Sequence, residues 1–400
     1  MSAFTPLLER PARPAPTARP LPSTETAGPT TAEPAHLRQM IISLIVLPLS
    51  LLPFVAYMTL TPEGRLVRDR VLVAISPPHL PDLSAGQRAA AAAAAPQYQG
   101  AVMALAYHGL GSSDAEGGFV ISPRRFGEHL AVLKAAGMNM VTAAQVADAF
   151  SGGAPLPPNA VMISFDDGRT DAMMFADPLL REAGMSATMF VIAGAASKPG
   201  VYYASWDKIE GYAASGRWDI QSHTTGSHRE QKAAGGGSLP ALTSLASGES
   251  LDEYRTRIRE DLAKASEAIE KHTGRRPLAF AYPFGAYGAD RTNDPAIAEV
   301  LRQEVARLYP VAFQQDDQDT VPLLTGDQDL LRLRRVEVEN WSGMELLGRI
   351  ERARQSLTGE ETVATPLPGG ATPAAAPETP PSAVVTTPSL AGPVAGSAGP

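Results

Sequence analysis

The chain contains no cysteine among its 400 residues. Disulfides are excluded, and any metal site must draw on histidine and carboxylate ligands. A basic excess is missing too: 34 Lys and Arg face 42 Asp and Glu, a net charge of −8, with no basic stripe. That balance argues against nucleic acid as a partner. Large apolar side chains are scarce in residues 1–38 and 358–400, which are rich in Pro, Ala and Thr. Both are expected to be disordered tails, because they cannot bury enough surface to offset chain entropy.

Charge itself is absent from Gln39 to Pro62. The run "MIISLIVLPLSLLPFVAYMTL" is long enough to cross a bilayer as a helix, and Pro48 and Pro53 are better tolerated there than in a soluble helix. Residues 39–62 are therefore expected to form one transmembrane helix that anchors the chain in the cytoplasmic membrane. Arg65, Arg68 and Arg70 follow it, against Arg38 before it, so the positive-inside rule read literally leaves the next domain in the cytoplasm. Residues 63–98, with "SPPHLPDLSAGQ" and the alanine run ended by Pro96, are expected to be a stalk that lifts the domain from the bilayer.

What is present begins near residue 99. Apolar runs at "AVMALAY" (101–107), "NMVTA" (139–143), "NAVMISF" (159–165), "SATMFVIAG" (186–194), "WDIQSH" (218–223), "PLAFAYPFG" (277–285), "LYPVAFQ" (308–314) and "LRLRRVEV" (331–338) predict strands. Between them, "SPRRFGEHLAVLKAAGM", "AAQVADAF", "DPLLREAG", "SWDKIEGYAASG" and the long "LDEYRTRIREDLAKASEAIEKHTG" carry helical spacing and helix-terminating glycines. This alternation predicts an α/β domain over 99–357, most simply a (β/α) barrel, whose chemistry collects at the C-terminal ends of the strands. His108, Asp166–Asp167, His223 and Pro283–Phe284 lie at those ends.

Histidine is scarce, with seven in all. His36 and His79 fall in the tail and the expected stalk, and His129 and His272 fall in helices, at positions read as solvated. His108, His223 and His228 remain. Asp166 and Asp167 follow an apolar run, where two adjacent carboxylates repel each other and resist desolvation. "SHTTGSH" sets His223 and His228 five apart across a turn that can aim both rings at one point. One Asp and two neutral His form a set suited to a hydrolytic divalent ion with open positions. Such an ion also relieves the repulsion, one carboxylate serving as ligand and the other as base.

"ISFDDG" (163–168), "QSHTTGSH" (221–228) and "FAYPFGAY" (280–287) resemble, in order, the motifs of polysaccharide deacetylases, the NodB-homology domain of carbohydrate esterase family 4. Two departures narrow the resemblance: the histidine spacing is five instead of four, and no histidine follows His272 to supply the family's late Leu-x-x-His acid. The poly-β-1,6-N-acetyl-D-glucosamine N-deacetylase branch resembles this chain on both points, and in the early "YH" and the aromatic-Pro-aromatic-Gly third motif.

The resemblance implies a distorted (β/α) barrel in which Asp167, His223 and His228 hold a divalent ion, zinc first, with nickel, cobalt or iron(II) as alternatives. It implies Asp166 as general base, His108 of "AYHG" as general acid, and a backbone N–H near Phe284 as oxyanion donor. Tyr282, Pro283, Tyr287 and Arg335 are the expected substrate-binding residues, Arg335 also as a partner that orients Asp166. Tyr202, Tyr203, Trp206 and Trp341 are further candidates for sugar stacking. The implied activity is metal-dependent hydrolytic N-deacetylation of a polysaccharide containing N-acetylglucosamine, poly-β-1,6-N-acetylglucosamine first, with peptidoglycan, chitin-type or other acetylated exopolysaccharides as alternatives. A non-catalytic carbohydrate-binding envelope protein is the reading from another class. Such a substrate requires the domain outside the cytoplasmic membrane, which outweighs the arginine count.

Overall fold

In the computed structural model, described over residues 34–111, 120–316 and 322–358, seven parallel strands close into a barrel. They are β1 Ala101–Tyr107, β2 Ala160–Phe165, β3 Ala187–Val191, β4 Trp218–Ser222, β5 Ala279–Ala281, β6 Val311–Asp316 and β7 Leu333–Glu337. Each pairs with its successor, and β7 returns to β1 through Leu105 opposite Val336. Two short strands distort the ring at its N-terminal end. Asn139–Val141 pairs with the first half of β2 while β3 takes the second half. Leu324–Thr325 likewise pairs antiparallel with the start of β1, ahead of its pairing with β7.

The pleat decides what enters the lumen. Val102 and Ala104 of β1, Ala160 and Met162 of β2, Ala279 and Ala281 of β5 and Leu333 of β7 share one inner cluster with Phe190 and Phe313. Their neighbours Met103, Leu105, Tyr107, Val161, Ile163 and Phe165 pack outward against the helices. Successive side chains on a strand alternate faces. Extending each count places His108, Asp166 and Arg335 on the inner side and Tyr282 on the outer side.

The chain before the barrel holds α1 Pro34–Leu60, α2 Pro62–Ile75 and α3 Ala85–Ala93, and the outer layer begins with α4 Pro123–Ala135, α5 Ala143–Phe150 and α6 Thr170–Ala183. It continues with α7 Ala193–Ser197, α8 Trp206–Ala214, α9 Leu251–Thr273, α10 Ile297–Ala306 and α11 Gly343–Thr358. Helix α6 begins seven residues before the "DPLLREAG" segment that the sequence marks, and runs through Pro178. Proline favours the first turn of a helix without being confined to it.

Residues 63–98 are not a stalk. Helix α2 packs on α6, and α3, closed by a capping box between Ser84 and Gln87, packs on α4. Ala91 is fully buried, and Val73, Leu80, Leu83 and Ala95 pack against the outer core. His79 reaches Glu182 at 3.1 Å. Tyr98 donates through its backbone to Asn159 Oδ1 and through its hydroxyl to the Ala160 carbonyl. The expected stalk is a collar, held through Val73, Leu80, Leu83, Ala91 and Ala95, while the rest of its alanine run stays exposed.

Among the described residues no helix is long and apolar enough to cross a membrane. The side chains of 41–42 and 44–48, in the middle of the uncharged run, lie outside them, as do residues 1–33 and 359–400, where the two tails were expected.

Candidate active site at the C-terminal end of the barrel

Where the strands end, a cleft of about 1040 Å³ opens, lined by His108, Asp166, Asp167, His223, His228 and Phe284 among others. The local backbone explains how each arrives. His108 and Asp166 continue the inward alternation of β1 and β2. Asp167 has φ 72° and Gly168 φ 74°, both in the left-handed region. Aspartate tolerates that region better than most residues, and glycine enters it freely. The two-residue reversal breaks the strand's alternation, so Asp167 turns over the barrel mouth beside Asp166.

Asp167, His223 and His228 each present one ligand atom, and these atoms lie within 4.8 Å of one another. Asp167 Oδ1 stands 3.6 Å from His223 Nε2 and 3.2 Å from His228 Nε2. That oxygen is buried and accepts no hydrogen bond. A buried carboxylate oxygen without a donor, facing two ring nitrogens, is costly unless a cation joins the group. His223 Nδ1 donates to the Ala281 carbonyl at 2.8 Å, which fixes the tautomer and leaves Nε2 as the lone-pair atom facing Asp167. Burial pushes the His223 pKa down to about 4, so the ring is neutral near pH 7. The three residues therefore fit a divalent ion; its identity is not fixed by the donor set.

Asp166 is held differently. Its Oδ1 and Oδ2 each accept from Arg335, at 2.7 and 2.7 Å, in a bidentate pair buried from solvent. Burial alone would raise the Asp166 pKa, but the charge and hydrogen bonds of Arg335, with His223 and His108 adding to them, hold it well below the usual carboxylate range. Arg335 also donates to Ser164 Oγ at 3.0 Å, and its guanidinium lies 4.9 Å from the Phe190 ring centroid. It is spent inside the barrel on orienting Asp166 and does not line the cleft, so the sequence-based expectation of a substrate contact does not hold.

Tyr282 and Pro283 are corrected in the same way. Tyr282 points outward, is buried, and donates to the Leu331 carbonyl at 3.0 Å. Pro283 is buried as the first residue of a 3-10 turn. Phe284 and Tyr287 do line the cleft. Phe284 is 42% exposed, takes φ 58°, and lays its ring 4.6 Å from that of His228. Trp206 and Trp341 are buried, whereas Tyr202 is exposed beneath Arg169.

Of the two helical histidines, one is sealed from solvent and the other is only partly exposed. His129 is fully buried between the Tyr107 hydroxyl at 3.0 Å and the Trp341 carbonyl at 2.7 Å. His272 stacks on Trp206 at 4.5 Å and meets Glu210 at 2.6 Å. Sequence reasoning missed Asp261 of α9 altogether. Its carboxylate accepts from the backbone N–H groups of Thr225 and Gly226, both at 2.8 Å, inside the loop that joins His223 to His228. Nothing in the local sequence marks it, since it lies 36 residues beyond Thr225 on a helix rich in charge.

Fold and site together define a (β/α) barrel with a histidine–carboxylate cluster at its mouth. Residues 153–300 match the family model described as polysaccharide deacetylase. The poly-β-1,6-N-acetyl-D-glucosamine N-deacetylase of Escherichia coli strain K12 is 28% identical over 221 residues, covering 50% of this chain and 32% of that protein. The enzyme of the same name from Staphylococcus epidermidis is 25% identical over 187 residues, covering 46% of this chain and 56% of its own. This chain thus spans about a third of the length of the first of these relatives. Among solved structures, a de-N-acetylase from Aggregatibacter actinomycetemcomitans superposes with a TM-score of 0.52 at 22% identity, over 62% of this chain and 99% of that one. IcaB from Ammonifex degensii superposes at 0.50 with 25% identity, over 64% and 98%. The chain carries a polysaccharide deacetylase domain.

Proposed function

We propose that this protein removes N-acetyl groups hydrolytically from a polysaccharide containing N-acetylglucosamine, with poly-β-1,6-N-acetylglucosamine as its first substrate. One observation carries the reading: the metal-type cluster Asp167–His223–His228 shares a cleft with an Asp166 kept ionised by Arg335 and with His108. The similarity to relatives named for that polymer supports the choice of substrate.

A divalent ion held by Asp167, His223 and His228 would supply a more acidic water and a polarised acetamide carbonyl. The chain's own residues do the rest. Asp166 accepts the proton of the attacking water; each oxygen keeps a lone pair after its bond to Arg335. His108 donates a proton to the departing nitrogen as the amide C–N bond breaks, leaving acetate and a glucosamine unit. The turn carrying Phe284 offers a backbone N–H to the developing oxyanion. The full chain should release acetate from acetylated β-1,6-linked glucosamine oligomers, stop on chelation and recover on adding Zn²⁺. Release that chelator leaves untouched, or none from any acetylated amino-sugar polymer, overturns the reading.

The same proposal includes a membrane tether through the uncharged segment 39–62, with the domain outside the cytoplasm, where such a polymer lies. The exposed Leu51, Phe54 and Val55 of α1 support it. A fusion reporter placed after residue 98 should be active only when exported.

A further inference from the structure

The loop between His223 and His228 is gripped from both sides. Its carbonyls face α7: the Thr224 oxygen accepts from Ala193 N at 2.9 Å and the Thr225 oxygen from Gly194 N at 3.1 Å. A Cβ at Gly194 would collide with the Thr225 carbonyl oxygen, so only glycine lets α7 come this near. Its N–H groups face α9: Thr225 N and Gly226 N donate to the two oxygens of Asp261, and Thr225 Oγ1 donates to the Asp261 carbonyl at 2.9 Å. Thr224 itself has φ 72°, a strained conformation for a β-branched residue. A five-residue spacing leaves more backbone between the two rings than one helical turn. Without outside constraint that backbone has many conformations in which His223 and His228 diverge.

We propose that Asp261 is a positioning residue for the metal centre: its carboxylate closes the His223–His228 loop into the one conformation that aims both Nε2 atoms at Asp167. It touches neither metal ligand nor substrate, and acts through two peptide N–H groups. Gly194 is the complementary half of the clamp, admitting α7 against the opposite edge of the loop. His223 is fixed independently by its bond to Ala281, so the mobility released on losing Asp261 falls on His228. The inference rests on the metal-dependent reading above.

The test is Zn²⁺ affinity of the full chain, measured by competition with a chromophoric chelator, for the unaltered protein, Asp261→Ala and Glu260→Ala. Glu260 lies beside Asp261, and its salt bridge with Lys264 is solvent-exposed. Asp261→Ala should weaken Zn²⁺ binding about 10–100-fold, the usual effect of losing a group that orients ligands from outside the coordination shell. Its kcat should recover at saturating Zn²⁺ with KM for the oligosaccharide unchanged, and Asp261→Glu should restore part of the affinity. A merely structural role would lower the melting temperature of the metal-free protein without moving the Zn²⁺ constant, and that result overturns the proposal. An equal loss in Glu260→Ala overturns it as well. Failure of the unaltered protein to bind any divalent ion would instead defeat the metal-dependent reading.

Discussion

Arg335 and Asp166 form a fully buried ion pair, and such a pair is asymmetric in its energetics. Intact, it roughly balances the cost of desolvating both charges; with one partner removed, an uncompensated charge is left in the barrel. Arg335→Met should therefore cost roughly 3–5 kcal/mol in chemical denaturation, with acetate release falling by about 10²–10⁴-fold, the worth of a proton-transfer group. A variant that unfolds normally and keeps its turnover would show that Asp166 does not depend on this partner. His108 and Asp167 should separate cleanly. His108→Ala should lower kcat by about 10²–10⁴-fold while bound Zn²⁺ stays stoichiometric. Asp167→Asn keeps a residue that tolerates the left-handed backbone but withdraws the charge, so metal content itself should fall. Atomic absorption on the purified variants distinguishes the two, and equal metal loss in both would reverse the assigned roles.

At the scale of elements, His129 ties α4 to β1 through Tyr107 and to the entry of α11 through Trp341. Burial lowers its pKa to about 4, whereas an unfolded chain holds histidine near ~6.5. Between those values the unfolded state binds more protons, so stability is full above about 6.5, falls as pH drops toward 4, and levels off below. A gap of that size corresponds to roughly 3 kcal/mol. His129→Gln should flatten the fall in melting temperature between pH 6.5 and 4 relative to the unaltered protein; parallel curves would show that the ring does not titrate on unfolding. This histidine also marks the boundary of what can be read from sequence. The strand ends were legible because each apolar run stops at a polar residue, which placed His108, Asp166, Asp167, His223 and His228 in one layer. The pleat would have gone further, since counting faces along β5 puts Tyr282 outward. The burial of Arg335 and His129 and the pairing of Asp261 with the histidine loop were not legible. Each depends on a partner far along the chain, as Arg335 does on an Asp166 that is 169 residues away, and a helical or strand pattern carries no record of such pairings.

For the whole molecule, the collar changes where the folding unit begins. Helical spacing alone could not separate a docked alanine helix from a free spacer, because alanine is compatible with both. Once docked, α2 and α3 cover α6 and α4, and the chain from Val73 to Tyr98 supplies apolar contacts and two hydrogen bonds to the start of β2. A protein begun at residue 99 keeps every site residue but uncovers that surface. Each well-buried aliphatic side chain contributes about 1.5–3 kcal/mol; Val73, Leu80, Leu83 and Ala95 are only partly buried and Ala91 is small, so the combined loss is on the order of 3 kcal/mol. For a domain of this size that is roughly 6–12 °C in melting temperature. A chain begun at residue 61 should instead melt with the full-length protein, whereas a freely moving stalk would give the same midpoint for both truncations. The same docking predicts that trypsin spares Arg65, Arg68, Arg70 and Arg88 under native conditions, since cleavage requires an unwound backbone and all four sit in helices packed on the barrel's outer layer.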